Sequence, residues 1–208
     1  MKRLIGALSI LLVLCVAARG AFLYYRPAEH PASTAPMAAI RAQSDDAGYE
    51  FTLLDPPQPA PGLGFTTRAG EAKSLADFRG RAVLVNLWAT WCEPCVEEMP
   101  SLDRLQAKLG DRLTVLAISE DRRGGDVVEP FLRKLGLKNL GVYLDSKNAA
   151  LRDFKIEGLP TSVLIDRDGR MRFRVVGAAA WDSPGMLARL APYLAPEPDK
   201  PQRASAGQ

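Results

Sequence analysis

The chain has 208 residues, enough for one folded domain with appendages. Of its 27 bases and 24 acids, Lys2, Arg3, Arg19 and Arg26 fall in residues 1–26 with no acid beside them, so the remainder is close to neutral and carries no nucleic-acid footprint. Three cysteines exclude a small disulfide-stapled fold, and a lone histidine, His30, excludes a Ser-His-Asp or Cys-His site in the body of the chain for want of a base.

Met1-Lys2-Arg3 is a basic start, followed by apolar or small residues from Leu4 to Ala18; Arg19 interrupts, and the apolar character resumes to Tyr25. Leu4 to Tyr25 is long enough, at about 1.5 Å per residue, to cross a hydrocarbon core of about 30 Å. Residues 1–26 therefore read as an uncleaved signal anchor with Lys2 and Arg3 on the cytoplasmic side. The alternative is a cleaved secretory signal ending at Ala18-Arg19-Gly20. Both readings carry the body of the chain across the membrane, and the anchor reading places it in the periplasm on a single inner-membrane span. Cys15 follows Leu14 rather than a small residue, so it reads as a buried apolar cysteine of the anchor and not as a lipid attachment site. Residues 27–50, with Pro27, Pro31 and Pro36, read as a flexible spacer. Residues 195–208 read as a disordered tail, which leaves a folded domain over 51–194.

Within that domain Phe51-Thr52-Leu53-Leu54 and Phe65-Thr66-Thr67 predict short edge strands, and Leu75 to Phe78 a brief helical turn. Ala82 to Trp88 is a continuous apolar run apart from Asn86, as expected of a strand buried on both faces. A helix is predicted from Glu93 to Leu109, with apolar Val96, Met99, Leu102, Leu105 and Leu109 at spacings of three or four and Gly110 to end it. Leu113 to Ser119 predicts a second buried strand, Val127 to Leu135 a helix, Val142 to Leu144 a strand and Ala149 to Phe154 a short helix. Thr161 to Ile165 and Arg170 to Val176 flank Asp166-Arg167-Asp168-Gly169, a hairpin with an Asp-Gly turn. In the second of these strands Arg170, Arg172 and Arg174 alternate with apolar residues, which predicts an antiparallel edge strand with one wet face. Ser183 and Pro184 open a last helix as N-cap and first helical residue. Two βαβ-like units followed by a hairpin and a helix predict an α/β fold, a three-layer mixed sheet.

The chemistry concentrates in Trp88-Ala89-Thr90-Trp91-Cys92-Glu93-Pro94-Cys95, between a buried strand and a helix N-terminus. Two intervening residues let the sulfurs meet across the first helical turn. The first thiol lies where unpaired N–H groups and the helix dipole stabilise an anion. Thiol–disulfide exchange needs a thiolate attacker and a second thiol that resolves the mixed disulfide, roles that fall to Cys92 and Cys95. Pro94 suits an early helical position, where its missing N–H would have no partner anyway. A zinc site needs four ligands, and there is neither a second cysteine pair nor a histidine in the domain. A haem attachment motif needs His after the second cysteine, where Val96 stands.

Asn86-Leu87-Trp88-Ala89-Thr90-Trp91-Cys92-Glu93-Pro94-Cys95 with Glu98, Met99 and Pro100 resembles the TlpA/ResA-type thioredoxin-like proteins. Leu75-Ala76-Asp77-Phe78-Arg79-Gly80, Gly158-Leu159-Pro160-Thr161-Ser162 and Asp166-Arg167-Asp168-Gly169 extend the resemblance, and Gly177-Ala178-Ala179-Ala180-Trp181 favours the TlpA branch. The resemblance covers about 51–194 and implies a thioredoxin fold with extra N-terminal strands. It also implies a membrane-anchored protein disulfide reductase that works outside the cytoplasmic membrane without a cofactor. Its implied targets are disulfides or thiols of apocytochrome c or of copper-site proteins in oxidase assembly, and its implied electron donor is a thiol reductant of the inner membrane.

By the same resemblance Pro160 is a cis-proline against the disulfide, Leu159 offers backbone bonds to a substrate strand, and Glu98 is a buried acid that shuttles a proton. From the residues alone, Pro160 could simply punctuate a turn before a strand, and Glu98 could be a solvated helix glutamate beside Glu97. Trp91, Glu93 and Pro94 complete the rim that meets substrate, Pro100 is a helix kink, and Trp181 reads as filler of core or surface. Three other functions compete. A thiol peroxidase needs Thr three residues before the reactive cysteine, where Ala89 stands. An oxidase or isomerase has the same spacing and differs in potential. A thiol chaperone would hold Cu(I) on both sulfurs.

Overall fold

The computed structural model of the protein describes residues 41–44 and 48–194. The strands are β1 (Arg41–Ser44), β2 (Glu50–Pro59), β3 (Gly64–Thr67), β4 (Ala72–Ser74), β5 (Val83–Trp88), β6 (Thr114–Ser119), β7 (Gly141–Leu144), β8 (Thr161–Ile165) and β9 (Arg170–Val176). The α-helices are α1 (Glu93–Leu109), α2 (Gly125–Leu135), α3 (Ala149–Asp153) and α4 (Pro184–Leu190).

A strand apolar at all but one position is stable only between two packed layers, and β5 is buried along its whole length in the middle of one sheet. The sheet runs β1-β2-β9-β8-β5-β6-β7-β3-β4. β5, β6 and β7 are parallel, as the two βαβ units require, while β8, β9 and β2 add antiparallel on one side. Alternation along the strands makes two cores. On one face Leu84, Val115 and Phe173 meet Leu102 and Leu105 of α1 and Met186 and Leu190 of α4. On the same face Ala117 and Val142 meet Val128 and Leu132 of α2. On the other face Val85, Leu116 and Val163 pack against Ala150 and Phe154 of the α3 region. This is a three-layer α/β architecture.

Helix α1 buries Cys95, Met99, Leu102, Leu105 and Leu109, while Val96, which the spacing also assigns to that stripe, is only half-buried. Gly110 ends the helix with φ 53°, a left-handed value that a side chain would resist. The β8–β9 turn closes through Asp166 N–H to Arg170 O at 2.9 Å and Gly169 N–H to Asp166 O at 3.0 Å, with Gly169 at φ 78°.

Four placements differ from the sequence reading. β9 is not an edge: β2 pairs along its outer side from Glu50↔Val176 to Leu53↔Phe173. Its arginines do not need open water. Arg174 donates to Phe154 O at 2.7 Å, and Arg172 lies over the Tyr193 ring at 5.2 Å and pairs with Asp166 at 3.5 Å. Side-chain alternation reports which face is wet and says nothing about whether the backbone edge is free. For the same reason β2 and β3, both read as edges, lie inside the sheet, β2 between β1 and β9 and β3 between β7 and β4. The stretch read as spacer, 27–50, contributes Arg41–Ser44 and Glu50 to the sheet, joined to β2 through backbone pairing that no apolar pattern announces. The expected anchor over 1–26 and tail over 195–208 lie outside the described residues. Among the described residues no helix is long and apolar enough to cross a membrane.

Phe173 is fully buried, with the Phe51 ring at 5.0 Å and the Tyr193 ring at 6.0 Å. Phe173→Ala leaves a cavity at the centre of the α1/α4 core and is expected to cost about 3–5 kcal/mol, read as a lowered midpoint in urea unfolding.

Candidate active site

The buried end of β5 delivers the chain to the start of α1 through Ala89, Thr90 and Trp91. Cys92 is the N-cap of α1, and Pro94 lies in the first turn. Cys92 N–H donates to Ala89 O at 3.2 Å, and Cys92 O takes the first helical bond, from Val96 N–H at 3.1 Å. The two sulfurs are joined as a disulfide, with the Cα atoms 5.3 Å apart. They differ in access: Cys92 keeps 6% exposure and Cys95 none. Around the rim Trp91 is 71% exposed, and Glu93 and Pro94 are exposed as well. The Leu159–Pro160 peptide is cis, Pro160 is buried, and half-buried Leu159 packs on the cluster that holds Cys92, Cys95, Trp88 and Met99.

An acid that sequence reasoning passed over fixes the loop before the dithiol. Asp121 accepts from Thr90 N–H at 2.9 Å, from Thr90 Oγ1 at 2.8 Å and from Ser119 Oγ at 2.9 Å. The readable signal was Ser119-Glu120-Asp121 at the end of a buried strand, where short polar side chains commonly bind nearby backbone. Next to it Glu120 is buried, bonded on Oε2 by Asn148 Nδ2 at 3.0 Å. Burial pushes its carboxyl up to about 7. A cavity of about 490 Å³ lies here, lined by Thr90, Trp91, Glu120, Arg122, Val127 and Leu151 among others.

Glu98 faces inward, 3% exposed, one helical turn after Cys95, so it is not the solvated glutamate that its neighbour Glu97 is. Its Oε1 accepts from Asn86 Nδ2 at 2.7 Å, and its Oε2 accepts from Ala179 N–H at 3.0 Å and from Trp181 Nε1 at 2.9 Å. Burial lifts this carboxyl to about 7, and the three donors pull the other way. Trp181 is fully buried and is not filler: it holds the acid. Cys95 and Glu98 are both buried residues of α1, one helical turn apart, so a carboxyl with a midpoint near neutrality lies on the same inward face as the second cysteine, placed to take or return a proton once the disulfide is reduced. Among the described residues no group of His, Cys, Asp and Glu forms a metal site.

A carboxyl whose proton is held more tightly in the folded than in the unfolded chain stabilises the fold at low pH. That contribution is complete below about 4.5 and is lost as pH rises through about 7. For Glu98 it is on the order of 3 kcal/mol. In the oxidised protein Glu98→Gln is therefore expected to lessen the fall in urea midpoint between pH 5 and pH 8, the remainder belonging to Glu120.

Against known proteins, the AhpC/TSA family profile matches residues 56–174. The thioredoxin-like protein YneN of Bacillus subtilis is 34% identical over 114 residues, 54% of this chain and 66% of that protein. The thiol–disulfide oxidoreductase ResA of Bacillus thuringiensis is 32% identical over 136 residues, 64% of this chain and 77% of that protein. Among solved structures, a candidate thiol:disulfide interchange protein DsbE from Chlorobium tepidum superposes with a TM-score of 0.60 at 27% identity, over 72% of this chain and 99% of that one. The fold, the cysteine pair at the start of α1 and these similarities agree: the chain belongs to the AhpC/TSA family and, within it, to the thioredoxin-like thiol–disulfide oxidoreductases of the TlpA/ResA type.

Proposed function

We propose that the protein reduces disulfides of partner proteins in the periplasm, tethered to the inner membrane by residues 1–26. The observation that carries the exchange reading is the unequal access of the two cysteines, and the resemblance to the TlpA/ResA type supports the reducing direction. Cys92 reaches the surface at the positive end of a helix, and Cys95 is closed off behind it. In the reduced protein the Cys92 thiolate attacks one sulfur of the partner disulfide and expels the other, which leaves as a thiol after taking a proton. Cys95 then gives its proton to Glu98 and attacks Cys92 Sγ. The remaining partner sulfur departs as a thiolate and takes up a proton. The partner disulfide has gained two electrons and two protons, and the protein is left as the Cys92–Cys95 disulfide.

Exposed Trp91, with Glu93, Pro94 and the Leu159–Pro160 segment, forms the surface on which the partner strand lies. The resemblance to the TlpA/ResA type supports apocytochrome c or copper-site proteins as partners. It supports a thiol donor in the inner membrane for re-reduction, since the oxidising periplasm offers no soluble reductant. The peroxidase reading is disfavoured: Ala89 occupies the position that would need Thr, and the Thr90 hydroxyl is already bonded to Asp121.

Equilibration with glutathione or dithiothreitol is expected to put the Cys92–Cys95 couple near the reducing, thioredoxin end of the range, about −270 mV. A value near that of a strong oxidant, about −120 mV, sinks the reductase reading and makes the protein an oxidase or isomerase. Cys95→Ser is expected to accumulate a mixed disulfide on Cys92 with its partner, visible on non-reducing gels and absent in Cys92→Ser. Stoichiometric Cu(I) binding without turnover would instead mark a thiol chaperone.

A further inference from the structure

Glu98 is held mostly from outside its own helix. Two of its three hydrogen bonds come from the link between β9 and α4, more than 80 positions along the chain. The link is docked on α1 by further contacts. Ser101 Oγ accepts from Trp181 N–H at 3.1 Å and lies within bonding distance of Ala179 O at 3.2 Å and Glu98 O at 2.8 Å. Nearer the surface Arg104 pairs with Asp182 at 2.6 Å. Ala179, Trp181 and Ser101 are all buried.

All three groups bonded to the carboxylate are donors. Asn86 spends its amide hydrogens on Glu98 Oε1 and on Ser162 Oγ, at 2.7 and 3.0 Å, and its own Oδ1 has no partner. A neutral Glu98 would carry an O–H among groups that are themselves donating. Burial alone favours the neutral acid; the donors favour the charged one. The groups that face Glu98 are Asn86 from β5, Ser162 behind it from β8, and Ala179 and Trp181 from the link, none of them charged. Its titratable neighbour on the inner face of α1 is the Cys95 thiol, and Glu97 points to solvent. With no cation bonded to it, the carboxylate depends on these neutral donors to stay ionised.

We propose that Trp181 is a positioning residue for exchange: its indole N–H, together with the Ala179 N–H, holds Glu98 Oε2 in place and favours the charged carboxylate, one helical turn from Cys95, so that it can take the proton of that thiol as it attacks. The proposal rests on the dithiol-reductase reading above. Trp181→Phe keeps the ring and most of the bulk and removes one donor. The carboxyl then holds its proton to higher pH, and the step that needs it as a base moves with it.

The test follows reduced full-length protein carrying Cys15→Ser, so that Cys92 and Cys95 are its two thiols, in detergent, reacting with the aromatic disulfide 5,5′-dithiobis(2-nitrobenzoate) by stopped flow between pH 5 and 9. The first thionitrobenzoate released reports attack by Cys92; the second reports attack of Cys95 on the mixed disulfide. In Trp181→Phe the acid limb of the second phase is expected to move to higher pH. That phase slows roughly tenfold at pH 7 and recovers above the limb, as follows from losing one hydrogen bond to a charged group. The first phase is unchanged, and in a Glu98→Gln background Trp181→Phe has no further effect on the second. Superimposable profiles for wild type and Trp181→Phe, or a shift that persists without Glu98, overturn the proposal. Should Trp181→Phe fail to fold, Ser101→Ala frees the Trp181 backbone N–H while leaving every donor to the carboxylate in the chain. It is expected to shift the limb the same way by less, and no shift there overturns the proposal equally. A wild-type protein that releases no second thionitrobenzoate overturns the reductase reading itself.

Discussion

Strand β5 is buried on both faces from Val83 to Trp88, and what surrounds the dithiol is placed by that fact. Successive side chains of a strand point to opposite layers, so Val83, Val85 and Leu87 enter the α3-side core while Leu84, Asn86 and Trp88 face α1. Asn86 is the single polar residue of the strand, and its position on the α1 side brings its amide to Glu98. Two residues on, Trp88 packs in the cluster of the cysteines, with the Phe131 ring of α2 at 5.7 Å. A slip of one residue would turn the Asn86 amide away from Glu98 and into the apolar core on the α3 side, which fixes where the loop to Cys92 begins.

That fixed starting point would be of little use if the loop itself were slack. Asp121 removes the slack by binding both the backbone and the side chain of Thr90, from just past the end of the neighbouring parallel strand β6. Two buried carboxyl groups thus serve the same stretch of chain in different ways: Asp121 fixes the loop before Cys92, and Glu98, one helical turn after Cys95, has a carboxyl that burial lifts to about 7 against the pull of its three donors.

Much of this architecture was legible in the sequence because it is local. The apolar run of β5, the three-and-four spacing of α1, the Asp-Gly turn and the Ser183-Pro184 helix start each occupy a few consecutive residues, and each stands where its pattern put it. The cysteine pair at the mouth of α1 was readable for the same reason. What escaped is non-local and made by backbone or by single hydrogen bonds. The pairing of β2 on β9 joins residues more than a hundred positions apart and leaves no mark on alternation. Trp181 looked like filler because a tryptophan advertises its area, not the one N–H by which it reaches Glu98. Asp121 carries no local mark, because its partner Thr90 lies 31 positions away on the loop from β5.

The shielding of Cys95 also bears on how such a site ages. An oxidant arriving from solvent meets Cys92 first, and a sulfenic acid formed there has a thiol held within bonding reach by the same helical turn. Condensation of the two expels water and returns the ordinary disulfide, a form the enzyme passes through in every cycle. Further oxidation of Cys92 must outrun a reaction whose partner is already in place, and Cys95, with no exposed surface, is out of the oxidant's way. The geometry that sets Cys92 before Cys95 therefore also turns accidental oxidation back into the Cys92–Cys95 disulfide.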